Sequence, residues 1–239
     1  MADLVEQAKK KASYAAIDEH INANTHVIGI GSGSTVVYCV ERLAQRFKSE
    51  PGLKIRACIP TSFQANQLIL EAGLPLAELN AHPVIDVTFD GADEIDASLN
   101  CIKGGGGCHL QEKLVAAASK KFVVVADYRK ESTALGIQWT KGIPVEVIPM
   151  AYVTIQKKIQ GLGPCVTDSG NLILDVFLGV LTGDAAVTDA HLKLITIPGV
   201  VETGLFIGMA GWAYLGAADG SVKTLTNVTS QKKQESSVL

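Results

Sequence analysis

No apolar run in this chain approaches the roughly 20 residues needed to cross a membrane, so no transmembrane segment is expected. The charged, amphipathic N-terminal stretch lacks the apolar centre of a signal peptide. Cysteine is scarce: Cys39, Cys58, Cys101, Cys108 and Cys165 are odd in number and form no CxxC pair. That argues against a disulfide framework or a zinc site and for free thiols in a reducing compartment. Neither charge sign dominates, with 21 Lys+Arg against 24 Asp+Glu and a net charge of −3. No basic cluster marks a nucleic-acid face. These absences predict a cytoplasmic protein without nucleic-acid or membrane partners. The final Ser-Val-Leu lacks the basic middle residue of a peroxisomal address, and the Asn227-Val228-Thr229 sequon is read as chance.

What is present is a core-forming composition, 47% hydrophobic over 239 residues, enough for one large domain or two small ones. The first half alternates strand and helix. Val27 to Ile30 reads as a strand, and Val36, Val37, Val40, Leu43, Ala44 and Phe47 recur at helical spacing. Ile55 to Ile59 is strand-like, and Ser62 caps a helix closed by Gly73. Val84 to Phe89 and Phe122 to Ala126 are further strands, separated by a helix with Leu110, Leu114, Val115 and Ala118 as its inner face. Such alternation implies a parallel sheet covered on both faces, here a Rossmann-like α/β domain. Its polar stretches GSGST, PTSF, DGADE and ADYRK all fall at carboxyl ends of strands, the edge where open parallel sheets bind ligands.

The rhythm then changes. Pro144 to Ile148, a helix over Tyr152 to Leu162, a hairpin turning at Asp168-Ser169-Gly170, a helix over Asp184 to Leu194 and a strand over Val200 to Ile207 give the order β-α-β-β-α-β. This predicts a smaller α+β domain of split βαβ, ferredoxin-like type. Trp212 to Leu225 returns to the first sheet. The expected division is 1–142 plus 209–226, then 143–208, then a flexible polar tail over 227–239.

Four tracts carry chemistry. In GIGSGST, glycines let the backbone approach an anion, and Ser32, Gly33, Ser34 and Thr35 open a helix whose N-terminus favours phosphate. The third glycine of a dinucleotide fingerprint and the Walker lysine are both missing. In DGADEID, Asp90 and Asp93 straddle Gly91-Ala92 and can share one ligand's hydroxyls, while Glu94 and Asp96 face solvent or cap. Their mutual repulsion raises at least one carboxyl pKa, which suits proton transfer. A magnesium site on Asp90, Asp93 and Glu94 is the alternative. In KGGGG, Lys103 is a candidate to stabilise an oxyanion, and Gly104, Gly105 and Gly106 bring backbone N–H groups to a ligand. Pattern alone leaves Glu112 either a site acid or a surface or capping residue. Lys130 is either a second cation or a surface charge. Lys9, Lys10 and Lys11 read as a solvated helix face from which one can reach the phosphate. Cys108 reads as a buried thiol, because His109 beside it points elsewhere.

The tracts GIGSGSTVV, PTSFQA, DGADEID, KGGGGC with QEK, VADYRK, GIPVEVIPMA, VTDSGN and IPGVVETGLF resemble the ribose-5-phosphate isomerase A family, in its eukaryotic form, from about Lys9 to Leu225. The resemblance implies interconversion of ribose 5-phosphate and ribulose 5-phosphate in the non-oxidative pentose phosphate pathway, without metal or organic cofactor, by a homodimer or homotetramer. It implies Glu112 as general base and Asp90, Asp93 and Lys103 as its catalytic partners. It further implies substrate binding by Lys9, Ser32 to Thr35, Asp90 to Asp93, Lys103 to Gly106 and Lys130. One departure is His109-Leu110, where the family usually carries Leu-Thr. Amino-sugar-phosphate deaminases and coenzyme A transferases share similar sheets, and a sugar-phosphate sensor is a non-catalytic alternative.

Overall fold

The computed structural model describes residues 2–159, 162–227 and 229. Apolar strands of four to six residues alternate with amphipathic helices through the first half: α1 (Ala2–His20), β1 (Val27–Ile30), α2 (Val36–Ser49), β2 (Ala57–Pro60), α3 (Phe63–Glu71), β3 (Val87–Asp90), the short β4 (Glu94–Ile95) and β5 (Cys101–Ile102), α4 (His109–Ala117) and β6 (Phe122–Asp127). There follow β7 (Ile143–Val147), α5 (Tyr152–Ile159), β8 (Leu162–Val166), β9 (Leu172–Val176), α6 (Gly183–Ile195), β10 (Val200–Thr203), β11 (Leu205–Phe206), β12 (Trp212–Gly216) and β13 (Val222–Thr226).

The main sheet has the order β13-β12-β6-β3-β1-β2 and is parallel except for β13. Strand β6 shows why it is covered on both sides. Val123 and Val125 pack with α1 and α2, through Ala12, Ala16, Ile17, Val36, Val40 and Leu43. Phe122, Val124 and Ala126 point the other way, towards Leu99, Ala116 and Phe206. Period-two alternation with apolar residues at every position requires two apolar layers. The chain runs from β1 to β2 on one side and then crosses to β3 on the other. The crevice at the carboxyl ends of β1 and β3 is therefore a topological switch point.

Strands β7 to β10 form a second, wholly antiparallel sheet of order β10-β7-β9-β8, with α5 and α6 supplying Ile155 and Leu194 against Val145, Val147, Leu174 and Val176. This is the split βαβ arrangement expected. A third sheet, β11-β5-β4, joins neighbouring parts of the chain and ends where Lys103 begins.

Three expectations change. The strand anticipated over Val200 to Ile207 is two strands in different sheets. Gly204 lies between them, where its N–H donates to Pro144 O at 2.6 Å and its carbonyl accepts from Lys103 N–H at 2.8 Å. The helix after Tyr152 ends at Ile159, since Leu162 already pairs with Asp175. In α4 the inner face is His109, Glu112, Val115 and Ala116, and Leu114 is 52% exposed. Of the tail anticipated over 227–239 only Asn227 and Thr229 are among the described residues, and Asn227 is held by hydrogen bonds to Gly211 O and Ser98 O.

A Cβ on Gly204 would lie 2.2 Å from Lys103 O and 3.0 Å from Pro144 Cδ. Overpacking of this kind costs about 1–3 kcal/mol. Gly204→Ala should lower the thermal midpoint by several degrees in a calorimetric scan, and an unchanged midpoint would contradict the close approach.

Candidate active site

The turn after β1 and the turn after β3 meet at Asp90. This aspartate is fully buried, and its Oδ1 accepts from Ser32 N–H (3.1 Å) and Gly91 N–H (2.7 Å). Gly31 permits the approach: a Cβ there would lie 2.1 Å from Asp90 Oδ1. From β5, Lys103 enters the same space almost without exposure. Its Nζ lies 3.1 Å from Asp90 Oδ2 and 3.2 Å from Glu112 Oε2, and it donates to Gly91 O at 2.5 Å. Glu112, one turn into α4, is 4% exposed. Its Oε1 accepts from the Ser32 hydroxyl at 2.5 Å and the Cys108 thiol at 3.3 Å. Asp90 Oδ2 and Glu112 Oε2 have no aligned hydrogen bond and meet Lys103 as ion pairs.

Two carboxyls and one ammonium buried together divide their protons unequally. Burial, with Glu112 close by, pushes Asp90 up from its ordinary 3.8 to about 7. Burial also pushes Glu112 up, but the Lys103 charge and the hydrogen bonds from Ser32 and Cys108 outweigh it and hold Glu112 below its usual range. Burial disfavours the Lys103 charge, yet Asp90, Glu112 and Asp93 around it raise its pKa above that of a free lysine. With Asp90 protonated, Lys103 and Glu112 cancel, and the floor of the site is neutral as a whole. Asp93 is half-buried, accepts from Gly105 N–H at 2.8 Å, and is raised chiefly by burial.

Above this floor opens a cleft of about 470 Å³. Its walls include Lys9, Ser32, Gly33, Ser34, Thr35, Gly91, Ala92, Asp93, Lys103, Gly104, Gly106, Glu112 and Lys130, nearly every residue singled out from sequence. Two lie behind the wall instead. Asp90 is enclosed by the Ser32 and Gly91 turns, and Gly105 contributes through its N–H to Asp93. Of the three consecutive lysines Lys9 alone reaches the site, donating to Ser34 Oγ (2.9 Å) and Glu6 (2.7 Å). Lys10 pairs with Glu41, and Lys11 donates to Gly220 O. Thr35 opens α2 without capping it through its side chain, which leaves the hydroxyl to the cleft. Lys130 Nζ sits 5.9 Å from the Trp139 ring centre.

Glu94 does not face solvent. It is fully buried, with backbone N–H groups of Gly136, Ile137 and Gln138 on its oxygens at 2.6 to 3.0 Å. Asp96 is buried too and caps Ser98 and Asn100. The magnesium reading thereby loses its third carboxylate. Among the described residues no three His, Cys, Asp or Glu side chains converge on a metal position. Cys108 is not inert packing, since it touches Ser32 Oγ at 3.0 Å and Glu112, but burial raises its thiol pKa. His109 does point elsewhere, to Glu202 O at 3.3 Å. Residues not singled out also line the cleft: Ser62, Phe63 and Gln64 after β2, Asp127 at the end of β6 and Arg129 just beyond it, and Asp168 from the β8–β9 turn. The PTSF and ADYRK positions at strand ends carried the signal for four of these, and Gln64 lies one residue beyond PTSF. Nothing local marks Asp168.

Because Asp90 holds its proton longer folded than unfolded, it should cost stability as pH rises from about 4 towards about 7. The stability of Asp90→Asn relative to the parent, from urea titrations across that window, should therefore increase with pH. A decrease would mean that Lys103 holds Asp90 ionised.

The family model for ribose 5-phosphate isomerase A (phosphoriboisomerase A) matches residues 57–220. The curated ribose-5-phosphate isomerase of Sus scrofa is 53% identical over 231 residues, covering 91% of this chain and 74% of its own length. That of Eremothecium gossypii is 47% identical, covering 94% and 95%. Among solved structures, a D-ribose-5-phosphate isomerase in complex with phospho-erythronic acid superposes with a TM-score of 0.84 at 34% identity, over 93% of this chain and 99% of that one. The Plasmodium falciparum ribose 5-phosphate isomerase gives 0.83 at 34%, over 92% and 98%. Sequence and fold agree, and the chain belongs to the ribose 5-phosphate isomerase A family.

Proposed function

We propose that this protein is an aldose–ketose isomerase that interconverts D-ribose 5-phosphate and D-ribulose 5-phosphate through an enediolate. The observation that carries this reading is Glu112 Oε2 held 3.2 Å from the Lys103 ammonium on the floor of a polar cleft. Ser32 and Cys108 fix Glu112 through Oε1, which leaves Oε2 as the basic oxygen. Glu112 takes the proton from C2 of the open-chain aldose. The C–H electrons form the C1–C2 double bond, and O1 becomes the oxyanion. A proton passes from the O2 hydroxyl to O1, and Glu112 returns its own proton to C1 as the enediolate electrons form the C2=O2 ketone. Lys103 stabilises the charge on O1 and O2 by proximity, without reorganising, because its position is already fixed by Asp90 and Gly91 O.

Asp93, on the cleft wall, exchanges protons with the sugar hydroxyls and assists ring opening. Asp90, behind the wall, is read as a positioning residue that holds Lys103 and tempers the negative charge around it. Lys9, Ser34 and Thr35 at the start of α2 hold the phosphate, where a helix N-terminus and hydroxyl donors favour an anion. Lys130 supplies a second cation at the cleft. The family resemblance further supports a homodimer or homotetramer in the cytoplasm, and the sheet topology supports the division into 1–142 plus 209–226 and 143–208.

Removing a general base costs about 10²–10⁴-fold in rate. Glu112→Gln should lower kcat by that factor in a proton NMR assay of ribulose 5-phosphate formation, on protein shown to be folded by circular dichroism. Turnover close to the parent's would remove Glu112 from the role.

A further inference from the structure

Gln64, the second residue of α3, stands on the cleft wall without an assigned part in binding or chemistry. Its Oε1 accepts from Gly33 N–H at 2.9 Å. A backbone N–H can be accepted only by the carbonyl end of a side-chain amide, so this contact settles which way the amide is turned. The Nε2 group, with two donors, is left without a protein partner among the described residues. Gly33 itself adopts φ 92°, a conformation glycine takes without strain, and nothing lies within 4 Å of the position a Cβ would fill. The free donors therefore sit one amide width from Gly33 in the turn that opens α2, in the cleft that Ser34 and Lys9 also line.

The charges around that turn explain what a neutral donor contributes there. Lys9 shares its ammonium between Ser34 and the Glu6 carboxylate, so it does not offer a whole positive charge to an anion. On the same wall Asp168 carries a carboxylate and directs Oδ2 to Phe63 N–H at 2.9 Å. A phosphate lodged at the turn needs further N–H donors on the α3 side, and Gln64 is placed to provide them. We propose that Gln64 is a substrate-binding residue, its Oε1 fixing the β1–α2 turn and its Nε2 donating to the phosphate of the sugar phosphate. This rests on the reading of the turn as the phosphate subsite.

Hydrogen bonds to charged groups contribute enough that losing one weakens binding by about tenfold or more. The test uses Gln64→Met, which lacks acceptor and donors, and Gln64→Glu, which keeps the acceptor for Gly33 and lacks the donors. Both should raise KM for ribose 5-phosphate and the calorimetric Kd for inorganic phosphate together by about tenfold, Gln64→Glu more, with kcat within about twofold and an unchanged melting temperature. Parental constants in Gln64→Glu, alongside weakened Gln64→Met, would reduce Gln64 to a prop for the turn and overturn the inference. Parental constants in Gln64→Met would overturn it as well. A parent protein that binds inorganic phosphate but does not turn over ribose 5-phosphate would strike the isomerase reading and leave the phosphate comparison to decide the role of Gln64.

Discussion

A lysine ammonium enclosed by protein is the constraint on which this site is built. Lys103 is 2% exposed, and a charge taken out of water is costly unless it is paired and hydrogen-bonded. Asp90 and Gly91 O from the turn after β3, and Glu112 from α4, supply that pairing. Much of the surrounding backbone can be understood as what is required to bring them together. Gly31 lets the β1 turn lie against Asp90, and Gly204 lets the chain leave the antiparallel sheet beside Lys103. The cluster is also asymmetric in a useful way. Behind the cleft wall burial raises the pKa of Asp90, whereas Lys103, Ser32 and Cys108 lower that of Glu112, which faces the cleft.

The sheet supplies the rest of the geometry. Its strand order reverses between β1 and β3, so two adjacent turns diverge there and leave a crevice that side chains from four strand ends can line. Backbone N–H groups orient both aspartates before any ligand arrives, Ser32 and Gly91 for Asp90 and Gly105 for Asp93. The antiparallel sheet contributes from outside, through the hairpin tip at Asp168 and its contact with Phe63. A site assembled in this way is fixed by main-chain contacts more than by long, flexible side chains, which suits a reaction that depends on proton-transfer distances.

Much of this was legible in the residues. Val27–Ile30 and the helix behind Ser62 follow from local pattern, and Ser62 does accept from Ala65 N–H. The motifs at strand ends marked most of the cleft. What could not be read depends on partners distant in the chain. Glu94 is buried because three N–H groups of residues 136–138 reach it. Asp168 joins the cleft by the packing of one sheet near another. The inner face of α4 was misjudged for a different reason. It contains His109 and Glu112, so an apolar pattern selected Leu114, which is exposed. A polar residue at an inward helical position was itself the mark of the site.

The unequal sharing of protons around Lys103 can be observed without turnover. Isotope-edited infrared spectroscopy, with labelled aspartate or glutamate, reports which buried carboxyl is protonated at about pH 6, between the ordinary carboxyl range and neutrality. The account predicts a protonated aspartate band that disappears in Asp90→Asn and no protonated glutamate band assignable to Glu112. A protonated Glu112 beside an ionised Asp90 would contradict it.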